Sequence, residues 1–235
     1  MKHVKEMQSK DLLGNPLQIM NNISKHIKNL RKEYLLAKLD EKTVEADPLK
    51  QYSLWFHEAI NAEIHEPNAM SLATATLDGK PSVRIVLLKE FDENGFVFYT
   101  NYNSRKGKEL AINPWGALTF YWAELQRQVR LEGKITNVSP ETSDIYFKSR
   151  PKGSQIGALV SNQSQIIYSR EEIEKRYLEL EAFYSDKEIE RPQHWGGYTL
   201  KPETIEFWQG RTNRLHDRIL YKFEKDVWSH LRLAP

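Results

Sequence analysis

Between Ile23 and Leu39 the apolar positions recur at helical spacing, with Ile23, Ile27, Leu30 and Tyr34 on one stripe and lysines between them. The pattern predicts a helix there, preceded by a polar, aperiodic stretch over residues 1–22 that is expected to be a mobile tail. "EADPLK" interrupts the period, and Pro48 opens a second helix through Trp55, Phe56 and Ile60. After Pro67 the period changes from 3.6 to 2. "MSLATATLDGKPSVRIVLLKEFDENGFVFYTN" holds three runs rich in β-branched and aromatic residues, parted by Asp78-Gly79 and by Asp92 to Gly95, both hairpin signals.

Ser104 can cap a short helix that must stop before Pro114, and strands follow near Gly116–Trp122 and Gln128–Thr136. Ser139-Pro140-Glu141 reads as a helix start and Arg150-Pro151 as its end. "SREEIEKRYLELEAFYS" carries a capping box, Ser169 with Glu172, and makes the best helix in the chain. From Gly196 the pattern is β again, in "GGYTLKPETIEFWQG" and "DRILYKFEKDVWSHLRL". Strands do not alternate regularly with long helices, which argues against a doubly wound parallel sheet. The fold expected is a single α+β domain over residues 23–235, built on an antiparallel barrel or strongly curved sheet with flanking helices.

Composition narrows the function classes. At 40% hydrophobic and 28% charged, the chain has the profile of a soluble globular protein. A net charge of +2 is too small to imply nucleic acid as a bulk partner. No apolar run approaches the roughly 20 residues needed to cross a bilayer, and the first residues lack a signal-peptide core, so a cytoplasmic location is expected. The absence of cysteine excludes disulfides, thiolate metal sites and a cysteine nucleophile. The seven histidines are scattered without metal-ligand spacing, so no metal is expected, and dinucleotide, Walker, HExxH and GxSxG signatures are missing.

What remains is a set of cationic clusters at element ends. Arg84 and Lys89 bracket "RIVLLK" and would lie on opposite faces of a regular strand. Arg105 and Lys106 follow Ser104 at a helix N-terminus, where the dipole and the backbone N–H groups suit a phosphate; a solvated first turn is an equal reading. Tyr146 and Arg150 are i, i+4 on a helix, with Ser154, Gln163 and Ser164 in the loop beyond; these make a second phosphate nest or a polar connection. Gln128 is a lone amide among strand residues, and Trp208 ends a strand beside "NRLHDR". As a strand, that stretch sets Arg214, His216 and Arg218 on one face; as a helix, His216 turns away from the two arginines. Two phosphate nests, a tryptophan and an amide suit a flavin mononucleotide beside a phosphorylated ring.

"RIVLLK", "FYTNYNSRKGKEL", "QVRLEGK", "SRPKGSQIGALVSNQS", "WGGY" and "IEFWQGRTNRLHDR…LAP" stand in one register from about Arg31 to Pro235, and together they resemble the pyridoxamine 5′-phosphate oxidase family. The resemblance implies a split β-barrel that binds FMN as a homodimer, with each active site formed by both subunits. It implies oxidation of pyridoxamine or pyridoxine 5′-phosphate to pyridoxal 5′-phosphate, with dioxygen reoxidising the flavin to give hydrogen peroxide and the amine substrate releasing ammonia. By motif, FMN contacts fall on Arg84, Ile85, Val86, Leu87, Leu88, Lys89, Tyr99, Thr100, Arg105, Lys106, Gln128, Gln163, Ser164, Trp208 and Arg218. Lys89, Tyr146, Arg150 and Ser154 match ligands of the substrate phosphate, and Arg214 and His216 match the catalytic residues over the substrate ring. "LRKEY" gives Arg31 and Tyr34 a lid role, while Gln126 and Gly153 depart from the family pattern away from any expected ligand. A non-catalytic split-barrel protein that binds flavin or pyridoxal phosphate is the competing reading, and it predicts loss of the Arg214–His216 pair.

Overall fold

A computed structural model describes residues 16–30 and 33–235. Among these residues nine strands form one antiparallel sheet: β1 (Ala69–Ala75), β2 (Pro81–Leu87), β3 (Glu90–Asp92), β4 (Gly95–Asn101), β5 (Trp115–Trp122), β6 (Arg127–Asn137), β7 (Trp195–Gln209), β8 (Asp217–Glu224) and β9 (Val227–Arg232). Their order is β2-β1-β5-β6-β7-β4-β3, and β8 also pairs with β7 and carries β9. The fork lies on β7, fifteen residues long. Its first half pairs with β4 and its second half with β8, while β6 follows it along both.

A register shift at Glu132/Gly133 bends the β6–β7 ladder where the fork opens. Gly133 is required there: a Cβ would sit 2.0 Å from the Lys201 carbonyl oxygen. Inward residues alternate with outward ones along the strands, so Met70, Leu72, Leu118, Phe120, Leu131, Phe207 and Tyr221 fill the barrel. Helix α2 (Pro48–Asn61), capped by Asp47, closes one side through Tyr52, Trp55 and Ala59. Strand β4 is buried on both faces, because α4 (Pro140–Ser149) and α5 (Lys152–Val160) cover its outer side with Phe147, Ile156 and Val160. The predicted hairpins, the Ser104-capped α3 (Arg105–Ile112) and the Ser169-capped α6 (Arg170–Phe183) are all present.

Four expectations are corrected. Helix α1 spans Pro16–Asn29, not Ile23–Leu39, so part of the expected tail is helical. From Tyr34 to Leu39 the chain has no helix, because its backbone is bonded to distant side chains that outweigh local propensity: Gln126 Oε1 accepts from Leu35 N–H (3.0 Å), Arg211 donates to the Ala37 carbonyl (3.2 Å) and Asp217 accepts from Leu39 N–H (3.1 Å). The connection after Pro151 is helix α5, not a loop. Arg214 is not in a strand: Thr212–Arg214 is a 3₁₀ turn with Asn213 and Arg214 at positive φ, and β8 starts only at Asp217. Arg84 and Lys89 do not share one strand either, since β2 ends at Leu87. Among the described residues, no helix is long and apolar enough to cross a membrane.

If the bend at Gly133 sets the fork, Gly133→Ala should lower stability by about 2 kcal/mol, read as a shift of the urea midpoint. An unchanged midpoint would show that the ladder relaxes around the added methyl.

Candidate active site

Where the outer face of β4 meets β2 and the helices α4 and α5, a cleft of about 620 Å³ opens. Its walls include Ile85, Val86, Leu87, Lys89, Tyr99, Thr100, Lys106, Tyr146, Arg150, Ser154 and Gln163, which brings much of the sequence-derived set together. Ser104 caps α3 by accepting from Gly107 N–H, and this sets Lys106 in the first turn of the helix with its side chain pointing inward. The Lys106 ammonium is buried and, among the described residues, donates only to neutral acceptors: Thr100 Oγ1 (3.0 Å), Gln163 Oε1 (2.9 Å) and Ser104 Oγ (3.5 Å). Burial, and then the charge of Arg84, push its pKa down to about 8.

Arg150, the residue that ends α4, is the second cation in the cleft. Its guanidinium lies 4.6 Å from the centroid of Trp195, and its buried Nη1 has no hydrogen-bond partner among the described residues. Trp195 also anchors a stack with Tyr99 (5.4 Å) and Tyr146, whose own ring centroids are 3.9 Å apart. Burial raises the Tyr99 phenol to about 12 and lowers Arg150. Among the described residues the buried ammonium has no counter-charge and the buried guanidinium nitrogen no partner, which makes this an anion site, since each loses hydration that only an anion restores fully.

Arg105 and Ser164 line a neighbouring depression beside the cleft, and Arg84, on β2, is bonded to the Leu72 carbonyl, Thr74 and Ser82. Leu88 is a core residue whose N–H and carbonyl are both taken by Asn68.

The remaining candidates stand at the other end of β7. Tyr34, Trp208, Arg214 and His216 line a groove of about 680 Å³. Trp208 and His216 have centroids 4.6 Å apart, and Tyr34 closes edge-on against both, at 5.8 and 5.7 Å. Gly210 permits this approach, because a Cβ there would lie 2.7 Å from the Tyr34 ring. His216 Nδ1 accepts from Arg211 N–H (3.0 Å), so the neutral ring carries its proton on Nε2. Burial, then the neighbouring Arg214 charge, lower its pKa and favour that neutral form.

Gln128, Trp208 and Arg218 are cross-strand neighbours in a row over β6, β7 and β8. Arg218 does not join Arg214 and His216 as a cationic ridge: the buried Glu206 carboxylate grips it through Nε (2.9 Å) and Nη2 (3.0 Å). Trp195 and Trp208 lie thirteen residues apart on one strand, about 40 Å by its rise. The cleft and the groove are therefore separate surfaces of one chain. Arg31 lies outside the described residues.

Two contributors escaped the sequence reading. Trp195 stood in a recognised motif but had no role assigned. Gln126, set apart as remote from any ligand, is buried at positive φ and holds the backbone next to Tyr34. Its partners are some 90 residues away, so no local signal could have shown this.

The profile described as "Pyridoxamine 5'-phosphate oxidase" matches residues 56–184, and one described as "Pyridoxine 5'-phosphate oxidase C-terminal dimerisation region" matches residues 195–235. The chain is 56% identical over 209 residues to the pyridoxine/pyridoxamine 5'-phosphate oxidase of Cyanothece sp., covering 89% of this chain and 98% of that protein. It is 56% identical to the enzyme of the same name from Rubrobacter xylanophilus, over 88% of this chain and 95% of the other. Among solved structures it is similar to PhzG from Burkholderia lata in complex with tetrahydrophenazine-1-carboxylic acid, with a TM-score of 0.81 and 29% identity over 87% of this chain and all of that one. A pyridoxamine 5'-phosphate oxidase-related, FMN binding protein from Nostoc punctiforme shares the fold at a TM-score of 0.64 and 17% identity, over 82% of this chain and all of that one.

Gln126→Ala should leave the Leu35 and Leu36 amides without their acceptor, so their hydrogen exchange should accelerate about tenfold or more. Unchanged exchange would mean that this segment is held by its other contacts alone.

Proposed function

The chain belongs to the pyridoxamine 5′-phosphate oxidase family, and on that premise we propose that it oxidises pyridoxamine and pyridoxine 5′-phosphate to pyridoxal 5′-phosphate, with FMN as cofactor and dioxygen as the final acceptor. One observation carries this reading: the same cleft holds the buried Lys106 ammonium and the half-buried Arg150 guanidinium with its buried Nη1, and among the described residues neither has an anionic partner. A flavin phosphate and a substrate phosphate supply one anion to each.

Lys106, Arg105, Arg84, Thr100, Gln163 and Ser164 would hold the FMN phosphate end, with Ile85 to Leu87 as an apolar wall. Arg150, Tyr146, Ser154 and Lys89 would take the substrate phosphate, the stack of Tyr146, Tyr99 and Trp195 keeping the arginine in place. FMN, when bound, supplies a two-electron acceptor that dioxygen can reoxidise. The protein's task is then positioning and electrostatics, which fits the lack of an acid/base pair in the cleft. His216 offers an uncharged Nε2–H and Arg214 a fixed positive charge to orient the substrate ring, and Tyr34 packs edge-on against the His216 ring.

The groove and the cleft belong to one reaction if two copies pair so that the groove of one closes over the cleft of the other. Three observations support this homodimer. The C-terminal match is to a dimerisation region, the two surfaces are about 40 Å apart along β7, and the edge strand β2 leaves Val83 and Ile85 exposed beside the cleft. The presence of both Arg214 and His216, with His216 held in one tautomer, favours an enzyme over a binding protein.

Purified protein should show a flavin band and convert pyridoxine 5′-phosphate aerobically to pyridoxal 5′-phosphate with hydrogen peroxide; flavin-loaded protein that makes neither product would refute the reading. Arg214→Ala should impair turnover while FMN stays bound.

The Lys106 pKa gives a pH dependence with a definite sign. The ammonium binds phosphate only when protonated, so FMN affinity should be full below pH 8 and fall as pH rises through about 8. Lys106→Arg, protonated throughout, should flatten that profile. A wild-type affinity constant from pH 7 to pH 10 would exclude Lys106 as the phosphate ligand.

A further inference from the structure

Glu109 is a buried carboxylate, 6% exposed, that none of the chemistry above uses. It projects from the second turn of α3 into the space between that helix and the β1–β2 hairpin. Its Oε2 accepts from Thr74 Oγ1 (2.5 Å) and Ser82 Oγ (2.5 Å) and lies 3.6 Å from Arg84 Nη2. Its Oε1 accepts from Arg105 Nε at 2.9 Å. Burial alone would raise its pKa, but these hydroxyls and Arg105 overcome that and hold it at about 2. The group is a fixed anion at any working pH.

We propose that Glu109 is a positioning residue for the cofactor phosphate, holding Arg84 and Arg105 from behind so that both present their remaining N–H groups to it. The inference rests on the FMN reading above. Arg84 is tied down at both terminal nitrogens, to Thr74 and the Leu72 carbonyl through Nη1 and to Ser82 through Nη2, and the same two hydroxyls bond Glu109. Thr74, Ser82, Arg84 and Glu109 thus form one closed network. Arg105 is mostly exposed and would otherwise sample many rotamers. Glu109 takes only its Nε; among the described residues, Nη1 and Nη2 carry no hydrogen bond, which leaves the edge that forks onto a phosphate.

Charge balance fits the same role. Burial lowers the pKa of both Arg84 and Lys106, and the charge of Arg105 on the first and of Arg84 on the second adds to it. Three cations and one carboxylate leave two net positive charges, the complement of a phosphate dianion. Without Glu109 the three would repel one another, and the site would have to be ordered at the moment of binding.

The bland alternative is that Glu109 merely fastens α3 to the β1–β2 hairpin. Riboflavin separates the two, because it shares the ring and the sugar chain of FMN and lacks the phosphate. Full-length protein stripped of flavin, wild type and Glu109→Gln, would be titrated with FMN and with riboflavin while quenching of flavin fluorescence is followed. Glutamine keeps an acceptor for the hydroxyls and removes the charge.

The expected result is FMN affinity weakened about tenfold with riboflavin affinity unchanged. An equal loss for both ligands would assign Glu109 to the framework and overturn the proposal. Unchanged or tighter FMN binding would overturn it too, by showing that the carboxylate does nothing for the phosphate or opposes it. Wild-type protein that binds FMN no better than riboflavin would remove the phosphate site itself, a failure of the underlying reading and distinct from the other two.

Discussion

Strand β7 is the constraint from which the rest of the molecule follows. It runs unbroken for fifteen residues, with Trp195 at its start and Trp208 near its end, and it bends once, at the bulge opposite Gly133. Because a strand rises about 3.3 Å per residue, its two tryptophans cannot meet in one chain. The Trp195 end supports Arg150 and the Tyr99–Tyr146 stack, and the Trp208 end supports His216 and Tyr34. One rigid element fixes two half-sites and keeps them apart. The pairing of copies proposed above turns that separation into a complete site.

Each half-site stores a different electrostatic preparation. The cleft buries the Lys106 ammonium and one guanidinium nitrogen of Arg150, which the described residues leave uncompensated, so an anion restores what folding withdrew from water. The groove does the reverse with His216, which is held neutral by burial and by Arg214 and fixed in one tautomer by a backbone N–H. Around them lie charges that are already satisfied: Glu206 grips Arg218, and Glu109 grips Arg84 and Arg105. A paired arginine is a rigid one, and rigidity is what an orientation-dependent reaction requires.

The sheet was legible in the sequence because its signals are local. Alternation, Asp78-Gly79, the Asp92–Gly95 turn and the serine caps each act within a few residues, and each is found where expected. The segment after Asn29 was misread for the opposite reason. Its apolar spacing is helical, yet its backbone is bonded to Gln126, Arg211 and Asp217, which no window around it contains. "NRLHDR" failed as a strand because Asn213 and Arg214 take positive φ in a tight turn, and composition alone does not announce this for Arg214. The cleft was legible only through several motifs together; Arg150, Lys106 and Gln163 each look like surface residues when taken singly. Glu109 lay in view as the i+4 partner of Arg105, a spacing that could have drawn notice.

The claim most exposed to test is that the cleft of one copy works with the groove of another. Arg150→Ala disables the cleft, and Arg214→Ala disables the groove. Co-expressing the two variants with different tags allows the mixed dimer to be purified away from both parents. In that dimer one site combines the intact cleft with the intact groove, so it should show about half the wild-type turnover while each parent shows almost none. A mixed dimer as inactive as its parents would place cleft and groove in service of the same chain and contradict the account.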